Sequence, residues 1–205
     1  MKVSTTIITA SLLVLLLAAR GPATTYRFGG QFDKPIPAQA GNTKGFMEDA
    51  VIDIERHLTI HDIDLRLGIS HGNIIDLRIT LISPAGAKVL LNEFDPFNLP
   101  ELPRGRKWQN YEETFFDDEA DIAISEAEPP FTGAFRPLDA DKLTAFEGQD
   151  AFGKWKLRVQ DLWQKDTGTC EHFELFIETP EPGTFSLLTL GLAIPLLKRR
   201  RGGRI

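Results

Sequence analysis

Three aspartates stand where apolar runs meet turns. Asp76 follows the turn His71-Gly72-Asn73, Asp161 closes an alternating run that starts at Trp155, and Asp166 opens Asp166-Thr167-Gly168. Hard cations take several carboxylate and carbonyl oxygens that converge from loops. Asp76, Asp161 and Asp166 are therefore candidate calcium ligands, with calcium the only cofactor the sequence points to. An aspartate before a strand and an Asp-x-Gly in a turn are also ordinary turn chemistry. The histidines are His57, His61, His71 and His172. His57 and His61 lie four apart, but no H-E-x-x-H pattern or third ligand follows. All four read as solvated or turn histidines. Ser70 precedes His71, Ser83 precedes a proline, and Ser125 lies in an acidic stretch. None sits in the strained strand-to-helix turn of a G-x-S-x-G nucleophile, so no catalytic residue is assigned. Asp117 and Asp118 are expected to form a structural ion pair with Arg136. Trp108, Tyr111 and Trp163 fall in loops, where rings can stack on sugars.

The elements that must position these groups read as β. Ile63, Leu65, Leu67 and Ile69 alternate with polar residues, as do Leu77, Ile79 and Leu81, and Trp155, Leu157 and Val159. Period two gives a strand with one dry face and one wet face. The stretch 173–177 is a further strand, 89–91 a short one, and 51–54 and 58–60 are weaker candidates. Turn signals at 71–73, 83–86, 148–153 and 166–168 separate them. Short alternating strands with such punctuation indicate a β-sandwich. The stretch 92–113, rich in proline and charge, reads as a long loop, and 117–130 as an acidic one.

Formal net charge is -6 over 205 residues. The positive charges are concentrated at the two ends. Between residues 24 and 182 there are 16 basic and 29 acidic residues, a net of -13. Such a surface repels phosphates, which excludes nucleic acid as a partner, and it suits divalent cations or simple solubility. Cys170 is the only cysteine. It cannot form an internal disulfide and reads as a small buried thiol.

The residues also resemble a family. "HGNIIDLRITLISPAGAKVLL" is similar to the hairpin of the P domain, also called Homo B, of proprotein convertases, with His71, Asp76, Leu77, Ile79, Leu81, Ser83, Pro84, Gly86 and Leu90 on the pattern. "FDDEA", "FTGAFRP" and "LTAFEGQDAFGKWKLRVQDLWQKDTGTCEHFEL" resemble three later motifs in the same order. Cys170 stands where the family has an aliphatic residue and Phe173 where it often has Trp, changes that alter core packing and not the fold. The resemblance implies a jelly-roll β-sandwich, galactose-binding-like, over 46–179. In convertases this domain follows a subtilisin-like protease domain and stabilises it. The resemblance also permits calcium at Asp76, Asp161 and Asp166.

The two ends read as export signals. Residues 1–23 have a positive start, an apolar run over 7–19 and small residues at Ala18, Ala19, Gly21 and Ala23, the pattern of a signal peptide. Residues 24–45 read as a linker. Residues 180–205 resemble a PEP-CTERM sorting segment: Pro180-Glu181-Pro182, an apolar run over 185–197, and Lys198 with Arg199, Arg200 and Arg201. The run is short for an unaided span, which needs about 17–25 residues. The basic cluster would stay cytoplasmic. The resemblance implies removal by an exosortase-type enzyme after transient membrane anchoring. The expectation is an exported, non-catalytic module with a binding or structural role at the cell surface or extracellular matrix of a Gram-negative-type bacterium. An accessory role beside a serine endopeptidase and a calcium- or glycan-binding role are the alternatives. Expected partners are the exosortase-type enzyme and a protease or an extracellular polysaccharide.

Overall fold

Inward rows of aliphatic side chains need a second layer to cover them, and the chain supplies it by folding into two sheets. The computed structural model describes residues 23–41, 43–93, 110–127, 130–138 and 142–180. Residues 23–180 form one compact unit. The first sheet contains β1 (Thr24–Ile36), β4 (Asp62–His71), β7 (Tyr111–Phe116), β8 (Phe131–Phe135) and β10 (Gly168–Thr179). Its order is β1-β10-β4-β7-β8. The second contains β2 (Gly45–Phe46), β3 (Ala50–Ile54), β5 (Leu77–Ile82), β6 (Lys88–Glu93) and β9 (Gly153–Asp161), in the order β2-β9-β5-β6 with β3 also pairing β9. The all-β sandwich expected from the alternation is what the chain forms.

Registers follow the dry faces. Leu65 lies opposite Leu175 and Leu67 opposite Phe173, while Leu81 lies opposite Leu157 and Ile79 opposite Val159. A one-residue slip would turn each of these rows to solvent. All eight side chains are fully buried. Trp155, the largest buried side chain, donates its indole N–H to the Ala151 carbonyl at 2.9 Å and meets Phe146 edge to face at 5.1 Å. A polar pair crosses the core here: Asn92 Nδ2 donates to Tyr111 Oη at 2.6 Å.

Several expectations need correction. The segment read as a linker, 24–45, contains the 13-residue strand β1, which pairs antiparallel with β10 from Thr24–Thr179 to Ile36–Gly168. It shields the β10 edge, which would otherwise present unpaired backbone groups. The stretch 58–60 makes only an isolated bridge, Thr59 to Asp150, whereas 51–54 lies within β3. Tyr111 belongs to β7 and is buried, so it is not a loop ring available to a sugar. Residues 1–22 and 181–205 lie outside the described residues, as do Trp108, Glu181 and Pro182. Among the described residues no helix is long and apolar enough to cross a membrane.

Candidate functional site

Alternation carried one step past the apolar rows places two ionisable groups inside. His71 continues Ile63, Leu65, Leu67 and Ile69 at the end of β4, and Asp161 continues Trp155, Leu157 and Val159 at the end of β9. Both side chains have no solvent exposure, and His71 Nε2 faces Asp161 Oδ2 at 3.3 Å. The loops that follow these strands complete the cluster. Asp161 Oδ1 accepts the Trp163 backbone N–H at 2.8 Å. The other ring nitrogen of His71, Nδ1, lies 2.9 Å from the Asn73 carbonyl and 3.1 Å from the Asn73 N–H. It can therefore accept or donate, depending on which nitrogen carries the proton. The His71 backbone N–H reaches Asn110 Oδ1 at 3.3 Å. The Asn73 side-chain amide donates to Asp76 Oδ1 at 3.1 Å, and the Asp76 carbonyl accepts the Leu162 N–H at 2.8 Å. The β4–β5 and β9–β10 connections are thus stitched together through charged and polar groups.

Asp166 packs against Gly72: a Cβ on that glycine would lie 2.5 Å from Asp166 Oδ1. Burial, with Asp161 and then Asp166 pushing the same way against the Asn73 hydrogen bond, raises the Asp76 carboxyl to about 6. Burial also raises Asp161, opposed by the Trp163 N–H and by His71. The structure therefore gathers all three expected acids, Asp76, Asp161 and Asp166, at one end of the sandwich. It adds His71 and Asn73 to them. Among the described residues no group of three or more His, Cys, Asp or Glu side chains is arranged to hold one metal ion. One Asp161 oxygen is held by a backbone N–H and the other faces His71. An open cleft of about 470 Å³ lies beside the cluster, lined in part by His71, Gly72, Asn110 and Thr167.

The remaining candidates are dispersed. His57 pairs with Asp150 through Nδ1 at 2.6 Å and stacks on Phe152 at 4.3 Å, in solvent. His172 lies over Gly68, where a Cβ would come within 2.2 Å of its ring. Ser83 is buried and donates to Gln149 Oε1 at 3.4 Å. Among the described residues no serine hydroxyl is hydrogen-bonded to a histidine or a carboxylate, as an activated nucleophile requires. The expected ion pair of Asp117 or Asp118 with Arg136 does not form. Asp118 instead accepts the backbone N–H groups of Leu143 and Thr144 at 3.2 and 2.8 Å and the Thr144 hydroxyl, Asp117 accepts the Glu119 N–H, and Arg136 donates to the Ala120 carbonyl. These acids cap turns. Trp163 is exposed. Cys170 is buried, and burial, with Glu171 nearby, pushes its thiol up to about 12.

Two antiparallel-dominated sheets closed at one end by a buried polar cluster define an all-β sandwich domain. The chain belongs to the proprotein convertase P-domain family, whose profile matches residues 60–177. That span runs from the start of β4 almost to the end of β10. No curated protein matches the sequence. Solved structures similar to this chain include two of one protease. One is the Aeromonas sobria serine protease in complex with its chaperone, with a TM-score of 0.46 and 17% identity over 78% of this chain and 28% of that one. The other is the Aeromonas sobria serine protease itself, with a TM-score of 0.45 and 17% identity over 78% and 27%. The chain thus spans less than a third of the length of either.

Proposed function

We propose that this chain is a non-catalytic accessory module, displayed outside the cytoplasm, that docks a separate subtilisin-like protease. The observation that carries the reading is the family match, since the P domain of convertases is the partner of such a catalytic domain. The arrangement of Ser70, Ser83 and Ser125 supports the non-catalytic part: among the described residues none of their hydroxyls is hydrogen-bonded to a histidine or a carboxylate. A fluorophosphonate probe should leave the purified protein unlabelled. Labelling abolished by replacing one serine would overturn the proposal. For the docking half, a subtilase from the same cell should co-purify with the tagged protein and lose thermal stability when the module is deleted; a subtilase of unchanged stability would count against it.

Export rests on the sequence of the two ends. Cell fractionation should find the sandwich outside the cytoplasm, shortened at both termini, and tail removal should cease in a strain without exosortase. An extracellular polysaccharide is the structural partner such a location would offer. Calcium enters through repulsion: Asp161 and Asp166 push up the Asp76 carboxyl and Asp166 pushes up Asp161, and a divalent cation would relieve that. Binding to the native state alone must raise Tm, by about 2.7 kcal/mol of stability at a hundredfold excess over Kd. A Tm indifferent to both calcium and chelator removes calcium from the proposal.

A further inference from the structure

We propose that the outer face of the first sheet carries a binding cleft for an uncharged, polyhydroxylated ligand, a neutral glycan, floored by β1 glycines and walled by Arg27, Gln31, Arg66, Glu113, His172 and Glu174. The inference rests on the reading of the chain as a binding module, not on its protease partner. The cleft holds about 460 Å³. It adjoins a second of about 280 Å³ that shares Glu113 and His172 with it. Small-molecule sites span about 300–1,000 Å³, and two hollows in series suit a chain of linked rings better than one compact molecule.

The floor of the hollow is backbone that carries no side chains. Gly29 and Gly30 are adjacent in β1 and have φ of +105° and +155°. A Cβ at Gly29 would lie 2.3 Å from the Phe173 carbonyl oxygen, so that position cannot accept a side chain. A Cβ at Gly30 would meet nothing within 4 Å. The β1 backbone therefore lies bare beneath the cleft, where a ligand can approach closely.

The walls are pre-organised. Glu174 is almost wholly buried and is bonded by Arg27 and by Arg66 Nη1, the latter at 2.9 Å. Arg66 Nε donates to Glu113 Oε2 at 2.7 Å. Burial pushes the Glu174 carboxyl up, and the two guanidiniums more than offset it, so the group stays ionised. Two guanidiniums thus face two carboxylates. Within this cleft an anionic ligand would meet Glu113 and Glu174, and a cationic one Arg27 and Arg66, so neither sign of charge is favoured there; the neighbouring hollow adds Glu112 and Glu171 and turns anions away. What remains unspent is hydrogen-bonding capacity. The side chains of Gln31 and His172 make no hydrogen bond within the described residues, and Arg27 uses only Nη2, leaving its other N–H groups free. Planar donors and acceptors held by charged neighbours, with no net charge to neutralise, match hydroxyl groups. The place differs from the loop aromatics expected from the sequence: Tyr111, although it contributes to the lining of the neighbouring hollow, is a buried residue of β7.

The test uses the full-length protein in a zwitterionic detergent free of sugar headgroups, applied to an array of neutral, uronate-bearing and sulfated glycans. Neutral glycans should be retained, and titration of the best of them should change less than about twofold across about 0.05–0.5 M salt, because no ionic contact is screened. Gln31→Ala and Arg27→Met, both at exposed positions, should each weaken binding about tenfold, the effect of a lost hydrogen bond to a charged or well-held group. The Tm of Gln31→Ala should stay within about 2 °C of the parent; Arg27→Met also removes one of the two guanidiniums on Glu174, so its binding is read at a temperature where circular dichroism shows it folded. His172→Gln, which keeps a planar donor, should retain most of the affinity. Retention of sulfated or uronate glycans alone, with a steep salt dependence, would overturn the neutral-ligand inference. So would an array that retains nothing, or affinity unchanged in both Gln31→Ala and Arg27→Met. Any of these leaves the protease-docking proposal standing, since that is read from co-purification.

Discussion

Removing one oxygen from the core tests whether Tyr111 is a structural residue of β7 and not a ligand-binding ring. Tyr111 and Asn92 are both buried, and the Asn92 amide donates to the phenolic oxygen at 2.6 Å. Burial pushes the phenol well above its ordinary range, with the Asn92 bond opposing it, so the ring is neutral at any working pH. Tyr111→Phe keeps the ring, including its tilted contact with Phe131 at 5.2 Å. It strips the buried amide of its partner, which costs about 1–3 kcal/mol. For a domain of this size each kcal/mol moves Tm by about 2–4 °C, so the expected drop is about 2–12 °C. Asn92→Leu alone strands the phenol hydroxyl and should cost a similar amount. The double variant replaces both polar groups with apolar ones, a change that can be nearly neutral. The two single costs should therefore not add, leaving a coupling of about 1 kcal/mol or more, above the roughly 0.3–0.5 kcal/mol seen for independent sites. Urea unfolding of the four proteins, followed by far-UV circular dichroism, gives the cycle. Additive costs would refute the reasoning and mean that the amide finds another partner or water.

Further outcomes follow from ionisable groups. The Asp64 carboxyl is raised to about 7, first by burial and then by Asp62, Asp117, Glu119 and Glu178. The folded state therefore holds a proton that the unfolded chain has lost, and stability falls as pH rises from the unfolded value of 3.8 to about 7. Asp64→Asn should raise Tm at pH 8 and leave it unchanged near pH 3.5; equal effects at both would sink the assignment. Asp161→Ala removes one partner of a fully buried pair and should cost about 3–5 kcal/mol in urea titration, and a cost below about 1 kcal/mol would show that His71 and Trp163 do not depend on it. Cys170, with its thiol pushed up to about 12, should resist a disulfide reagent in the native protein at pH 8 and react only on unfolding.

The inner rows of the sandwich were legible because alternation is a local signal. Five residues suffice to show it, and β4, β5 and β9 each have that many in phase. The polar end of the same rows was present in the sequence but masked by residue type. His71 and Asp161 lie in phase with their strands, yet His71 also opens a turn motif and Asp161 stands where a run gives way to a loop, and turn chemistry explains a polar residue without any partner. What decides burial is the pairing of two strand ends 90 positions apart in the chain, which no local pattern records. β1 was hidden differently. Tyr26, Phe28 and Phe32 keep period two, but Gly29-Gly30 interrupts it with the residue pair most typical of a loop. The strand exists because β10 offers it an edge, again across the full length of the domain. Tyr111 was misplaced by its neighbours: the proline- and charge-rich stretch before it gave no strand signal, and its own alternation is short.

These failures share a physical cause that bears on function. A sandwich commits its inward positions to packing, so sequence patterns report those positions and say little about the outward ones. The outer face of the first sheet is built by cross-strand neighbours: Gly29 beside Glu174, Glu174 beside Arg66, Gln31 beside His172, His172 beside Gly68. In the sequence these partners are separated by 104 to 145 positions and belong to no motif, because each sits at an x of an alternating pattern. The family motifs lie on the inward residues and the turns, and they therefore identify the scaffold while leaving its outer surface unspecified. Arg66 shows the distinction within one strand. Its neighbours Leu65 and Leu67 are fixed by the core, while its own guanidinium, bonded to Glu113 and Glu174, could be exchanged with its partners for apolar residues without disturbing the inner rows. Isolated exposed ion pairs contribute only about 0–1 kcal/mol, so what this network fixes is the position of the Arg27 and Arg66 guanidiniums on the outer face more than the stability of the fold.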